Sequence, residues 1–384
     1  MVYLDNNATT PLEPAVQEKM CWFLKNHFGN PSSLYPLGRE VKEMITEARE
    51  IIATSLGAQR SEIIFTGSGT EADNFAIRGV LDALPEKKEV ITSAIEHPAI
   101  IETGHYLQRK GYKVTFVPVD QTGLVDLEYL EKAITPQTAL ISIMHANNEI
   151  GTIQPIEEIV KIAKKHGVLV HTDAVQSYGK IEVNVNKLGV DLLTISAHKI
   201  YGPKGIGALY IRKSTPIQPL IYGGHQERLL RAGTENTIGI IGFGEAVRVM
   251  MERKNKDKKQ IEKLAEELKK GIEERIPQVK FNGHPERRIK GTVNFAFLGV
   301  EAEAILLALA TKDICVSTGS ACSEDSEETS HVLQAIGLKP EIARSAIRMS
   351  LGRFNTEEDI QRVLDELPEV VENLRRISSF EVEE

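Results

Sequence analysis

From EIIF at residue 62 to ALYI at residue 208 the chain repeats one unit: a short unbroken apolar run, a polar end, and a stretch with helical spacing. The strands read as EVITSAI, KVTFVPV, TALISIM, VLVHTDA and DLLTIS, and helices such as AIIETGHYLQRKG and IEEIVKIAKKHG fall between them. Strands that are apolar at every position, not at alternate ones, must be covered on both faces, and successive β–α units run parallel. The pattern therefore predicts an α/β fold with a largely parallel sheet flanked by helices. In such sheets ligands collect at the carboxyl ends of the strands. Polar residues stand there in this chain: His97, Asn147, Asn148, Glu149, Asp173, Gln176, Ser196, His198 and Lys199.

Before this region, residues 1–12 read as an extended segment with turn formers Asp5, Asn6, Asn7 and Pro11, followed by helices Ala15–His27 and Arg39–Leu56. After RAGTENTIGIIGFGEAVRVM the composition shifts. Residues 251–276 predict a long charged helix with an apolar stripe at Ile261, Leu264, Ala265, Leu268 and Ile272, crossing into a second domain. A final amphipathic helix carries Ile360, Val363, Leu364, Leu367, Val370 and Val371.

Composition removes several function classes. The 54 acidic against 46 basic residues leave a net charge of −8 and no basic footprint for nucleic acid. No apolar run reaches the roughly 18 residues that span a membrane, and MVYLDNNATTPL lacks the charged leader of a signal peptide. Three cysteines without CxxC spacing give neither a disulfide framework nor a structural zinc site, so a cytoplasmic setting and no metal are expected.

The chemistry centres on DLLTISAHKIYGPKGIG, residues 191–207. Lys199 follows an apolar strand among small residues, where lost hydration lowers a lysine pKa and frees a nucleophilic amine. A Schiff-base lysine for pyridoxal 5'-phosphate needs three further things: an acid at the pyridine nitrogen, a phosphate cradle, and a flat group over the ring. Asp173 supplies the acid from the preceding strand. Gly69 and Thr70, at a small-residue turn opening a helix, supply the cradle with Ser196 and His198. His97 stacks and moves protons, while Gln176 and Asn148 hold the ring hydroxyl and the substrate. Taken singly, each has an ordinary reading as a cap, a loop charge or a core histidine; together on adjacent strand ends they point to one site.

Cys322, in the polar loop GSACSEDSEETS, is the candidate nucleophilic thiol. Its acidic neighbours raise a thiol pKa, so its proton goes to His97 or to the substrate complex. Cys315 and Cys21 read as core. Arg348 on the apolar strand AIRMSLG needs a bidentate partner, either a substrate carboxylate or an internal acid.

YLDNNATTP, TGSGTEADN, EHPAI, MHANNEIG, HTDAVQS, SAHKIYGPKGIG, RAGTEN, STGSACS and IRMSLGRFNTEED together resemble cysteine desulfurases of the bacterial iron–sulfur-assembly type, over residues 3 to about 365. The resemblance implies the class V, fold-type I (aspartate-aminotransferase-like) architecture: a mainly parallel seven-stranded sheet flanked by helices, with a smaller α+β domain. It divides the chain into residues 13–255, binding the cofactor, and residues 1–12 with 256–384, carrying the Cys322 loop. It implies a homodimer with Thr234 reaching the other subunit's phosphate, Asn148 and Arg348 holding the L-cysteine carboxylate, and Cys322 taking sulfur as a persulfide while L-alanine leaves. A sulfur-acceptor or cluster scaffold protein would receive that sulfur. The loop after Cys322 departs from the family pattern in being acidic.

Other readings compete. A selenocysteine lyase or small-substrate aminotransferase of the same class would keep Lys199 and Asp173 without needing Cys322. A dinucleotide dehydrogenase rests on Gly67-x-Gly69-x-x-Ala72 alone, with no acid following at ribose distance. A cofactor-free sulfur carrier would use Cys322 only.

Overall fold

The structure is a computed structural model that describes residues 1–318 and 329–378. β1 (Val2–Tyr3) precedes helices α1 (Pro14–Asn26) and α2 (Pro36–Leu56). There follow β2 (Ile63–Thr66), α3 (Gly69–Ala83), β3 (Glu89–Ser93), α4 (Pro98–Arg109), β4 (Lys113–Val117) and α5 (Leu127–Ala133). Next come β5 (Thr138–Ser142), α6 (Ile156–Lys165), β6 (Leu169–Asp173), the short α7 (Val185–Leu188), β7 (Leu192–Ser196) and β8 (Gly207–Ile211). The chain then runs through α8 (Thr237–Arg275), β9 (Val279–Phe281), β10 (Thr292–Phe297), α9 (Ala302–Ala310), β11 (Ile314–Cys315) and β12 (Ser317–Thr318). It closes with α10 (His331–Ala335), α11 (Pro340–Ala343), β13 (Ala346–Ser350) and α12 (Glu357–Ile377).

The large sheet has seven strands in the order β2-β8-β7-β6-β5-β3-β4. All neighbours are parallel except β8, which pairs antiparallel with β7 and with β2. β2, β5, β7 and β8 are buried along their whole length, which is why they read as continuous apolar runs. The predicted mainly parallel α/β sheet is what the chain forms. A four-stranded antiparallel sheet, β12-β13-β10-β9, packs with α9, α12 and the second half of α8 around Leu268, Phe295, Ile347 and Leu367. β1 pairs in parallel with β11, so the first residues join the chain's last third.

Two expectations change. The long helix begins at Thr237, not at residue 251, and is one rod of 39 residues, about 58 Å long. Gly239, Gly242 and Gly244 weaken a helical reading of its first turns, yet packing requires two of them. A Cβ on Gly244 would stand 2.7 Å from the Ala48 Cβ of α2, and one on Gly242 would stand 2.7 Å from the Met20 sulfur of α1. The second correction is Cys21, which is exposed: α1 turns Val16 and Phe23 inward and leaves Cys21 and Trp22 on its outer side. Cys315 in β11 is half-buried.

Candidate active site

Asp173 closes β6, and Lys199 follows β7, its hydrogen-bonded neighbour, by one short turn. The Lys199 amine donates to the carbonyls of Asn7 at 2.5 Å and Ala8 at 2.6 Å. Asp173 is buried, and its carboxylate accepts from the Val175 N–H at 2.8 Å. Burial raises the Asp173 pKa, opposed by that hydrogen bond and by the Lys199 charge. Asp73 of α3 lies beneath, 2 % exposed and also raised by burial and by Asp173, with His171 Nε2 3.7 Å away.

His97 follows β3 and caps α4, its Nδ1 accepting from the Ala99 N–H at 3.1 Å. Burial, with the charges of Lys199 and His331, lowers its pKa to about 4. The ring is therefore neutral at physiological pH, with its hydrogen on Nε2.

At the end of β2, Ser68 caps α3 by accepting from the Glu71 N–H. A Cβ on Gly69 would stand 3.0 Å from the Val175 side chain and 3.7 Å from the Ser196 Cβ, so a glycine lets this helix end close onto β6 and β7. Thr70 is exposed on the first turn and Ser196 is buried. His198 Nδ1 faces the Thr9 hydroxyl at 3.1 Å, and burial followed by the Lys199 and Lys204 charges lowers it to about 4. Free N–H groups and the helix dipole favour an anion at this place.

Gln176 donates to the Asn7 carbonyl at 2.8 Å and accepts from Lys180 at 2.9 Å. Arg348, buried in β13, donates to the Asp5 carboxylate at 2.8 Å and to the Asn148 carbonyl at 3.2 Å, so an internal acid partners it. Its Nε has no hydrogen-bond partner among the described residues. Asn148 is half-buried at the same edge. Thr234 is exposed, and its hydroxyl makes no hydrogen bond among the described residues.

Cys322 lies outside the described residues. The described chain on either side of it ends at this rim. Ser317 of β12 pairs with Arg348. On the far side, the Ser330 hydroxyl donates to Glu149 at 2.6 Å and His331 Nε2 meets the Glu96 carbonyl at 2.9 Å, next to His97.

Sequence reasoning missed Asn7, Lys180, Asp5 and Asp73. Asn6 and Asn7, read from the sequence only as turn formers, are 4 % and 3 % exposed.

The donor set fits pyridoxal phosphate. A buried carboxylate, a lysine on the neighbouring strand end, a neutral histidine and a glycine-bearing helix N-terminus converge on one rim, as its nitrogen, aldehyde, ring and phosphate require. A cavity of about 190 Å³, lined by Asn7, Lys180 and Lys199 among others, opens between them and the second half of α8.

The aminotransferase class-V family pattern matches residues 2–363. A curated relative, the cysteine desulfurase IscS of Dictyoglomus turgidum, is 52% identical over 383 residues, covering 100% of this chain and 97% of its own length. Among solved structures, a NifS-like protein superimposes with TM-score 0.92 at 42% identity, covering 97% of this chain and 100% of its own. SspA in complex with cysteine gives TM-score 0.83 at 38% identity, covering 93% of this chain and 100% of its own.

Proposed function

The chain belongs to the aminotransferase class-V family and is a cysteine desulfurase, and from that premise we propose which of its residues do the work. The family implies pyridoxal phosphate as cofactor. We assign its aldehyde to Lys199, its pyridine nitrogen to Asp173, its ring face to His97, its ring hydroxyl to Gln176, and its phosphate to Gly69, Thr70, Ser196 and His198, with Thr234 from a second subunit. The observation that carries this assignment is the placement of Asp173 and Lys199 on adjacent strand ends.

When bound, the cofactor supplies an electron sink for the carbon skeleton of L-cysteine. Arg348 and Asn148 bind the substrate carboxylate; Arg348 holds Asp5 at 2.8 Å, so it exchanges or shares that partner. Lys199, as a neutral amine, takes the α-proton. Asp173, as a carboxylate, would hold a proton on the pyridine nitrogen of the bound cofactor. The Cys322 thiolate attacks the substrate sulfur, an S–S bond forms as the C–S bond breaks, and the carbon takes the proton that the two thiols have in excess. The sum is redox-neutral: one thiol and L-cysteine give one persulfide and L-alanine. Both described flanks of the Cys322 segment end at this rim, which supports that assignment.

The persulfide is passed to an acceptor or scaffold protein for iron–sulfur assembly in the cytoplasm. No helix among the described residues is long and apolar enough to cross a membrane. A homodimer is supported by the large apolar side chains exposed between Trp22 and Tyr35, with Leu24, Phe28 and Leu34 among them. The division into residues 13–255 and residues 1–12 with 256–384 is supported along α8, whose Ile240–Met250 stretch packs on the large sheet's core and whose Leu264–Ile272 stretch packs on the small one.

The test is turnover of L-cysteine with a reductant, scoring L-alanine and sulfide together. Equal amounts, lost in Cys322→Ala and in Lys199→Ala, are expected. Turnover that survives Cys322→Ala would remove the persulfide step and leave another reaction of the same class.

A further inference from the structure

Lys180 stands four residues beyond Gln176, in the turn after β6. Its ammonium donates to the Asn7 side-chain oxygen at 2.6 Å and to the Gln176 side-chain oxygen at 2.9 Å. Both acceptors are neutral amides, and no carboxylate lies within ion-pair distance among the described residues. Asn7 is the hub of this arrangement. Its carbonyl receives both Lys199 and Gln176, and its side-chain nitrogen donates to the Asn148 carbonyl and the Thr292 hydroxyl. One asparagine therefore links two lysines, and Asp173, His97 and His198 are the titratable groups that the Lys199 charge acts on from the neighbouring strand ends.

Two cations so placed disfavour each other's charge, and a second cation beside a lysine is a known way to keep its amine neutral. The surroundings reinforce this. Burial, followed by the charges of Lys199 and Arg348, lowers Lys180 to about 7. Both lysines line the cavity behind Lys199. Arg288 and Lys290 line it too, Lys258 is paired with Glu262, and Arg353 with Glu13 and Asp257. Nothing in that lining places a carboxylate on Lys180.

We propose that Lys180 is a positioning residue for the desulfurase reaction: through Asn7 and Gln176 it fixes the direction of the Lys199 amine, and in its protonated form it disfavours a second positive charge on that amine. This rests on the reading of Lys199 as the cofactor lysine. Lys180 touches neither substrate nor cofactor in this scheme, so its signature is a shift in ionisation, not an outright loss of chemistry.

The experiment is a pH titration of the visible absorbance of the cofactor–Lys199 linkage in the holoenzyme. It compares wild type, Lys180→Met, Lys180→Gln and Lys180→Arg, with the pH profile of kcat/KM measured alongside. In Lys180→Met and Lys180→Gln the linkage pKa rises by about one unit or more, and the acidic limb of the profile moves the same way. Lys180→Gln keeps hydrogen bonds to Asn7 and Gln176, so it reads the charge alone should the Met variant not fold. Lys180→Arg keeps the linkage pKa of wild type while kcat falls, because the longer fork displaces Gln176. A linkage pKa unchanged in Lys180→Gln, or raised equally in Lys180→Arg, overturns the proposal. Survival of the absorbance in Lys199→Ala would overturn the assignment of Lys199 and this inference with it; its loss there, beside an unmoved Lys180→Gln titration, overturns the inference alone.

Discussion

The rim of the large sheet and the strap formed by residues 5–10 meet at Lys199, but they are built by opposite means. Each rim residue follows its own strand within a few positions: Asp173 ends β6, Ser196 ends β7, and His97 caps the helix after β3. The strap has no regular structure of its own and is tied down by distant partners. Asn6 donates to the Ser350 carbonyl at 2.8 Å, the Asn7 N–H donates to the Ser350 hydroxyl at 2.8 Å, and Thr10 donates to the His198 carbonyl at 2.8 Å. A Cβ on Gly352 would stand 2.3 Å from the Asn6 side chain, so the strap's fit depends on a glycine near the other end of the chain. The difference teaches where a site's chemistry and where its geometry are stored. The rim carries the ionisable groups, and the strap presents backbone carbonyls that aim one of them.

Removing chemistry should cost more than removing aim. Lys199→Ala is expected to lower desulfurase turnover by at least about 10³-fold; near-normal turnover would break the division at once. Asn7→Ala, on the strap, is expected to lower kcat/KM by roughly tenfold and stability by about 1–3 kcal/mol through lost buried hydrogen bonds. Urea unfolding beside kinetics separates the two effects, and wild-type kinetics in that variant would reduce the strap to scaffolding. Gly244→Val lies outside both regions and should cost about 1–3 kcal/mol by overpacking α8 on α2, leaving kcat untouched.

A smaller, pH-dependent effect belongs to the rim. Because Asp173 is raised in the folded chain, the fold keeps a proton there that the unfolded chain has released. Stability of the cofactor-free protein therefore falls as pH rises from the ordinary aspartate value to the raised one. Asp173→Asn should flatten that part of the stability–pH curve; an unaltered slope would show that the carboxylate ionises normally. Least of all, Lys132→Ala breaks only an exposed pair with Glu128 and should change stability by less than about 0.5 kcal/mol.

The same contrast explains what was legible in the sequence. β–α alternation and unbroken apolar strands revealed the parallel sheet, and the polar residues just past those strands, Asp173, Lys199 and His97, are the ones proposed for the site. Each of those signals is local. Asn7 carries no local signal of its job, because its partners Thr292 and Ser350 are set by tertiary packing alone. Lys180 drew no reading from the sequence for the same reason: its partners Asn7 and Gln176 are joined by the fold. The start of α8 was hidden by glycines that serve packing, not helix propensity. Cys21 was misjudged because two aromatic neighbours point to different sides of one helix: Phe23 inward, Trp22 outward.

The strap also sets an order of events during synthesis. Residues 5–10 leave the ribosome before the large sheet does, yet Asn6 must wait for a partner 344 positions later, an interval of roughly 20–70 s at ordinary elongation rates. By then every strand of the large sheet has emerged. A chain that stalls or is clipped ahead of Ser350 would keep its sheet and its lysine while losing the carbonyls that aim it, so incomplete copies would be folded in the middle but catalytically disarmed.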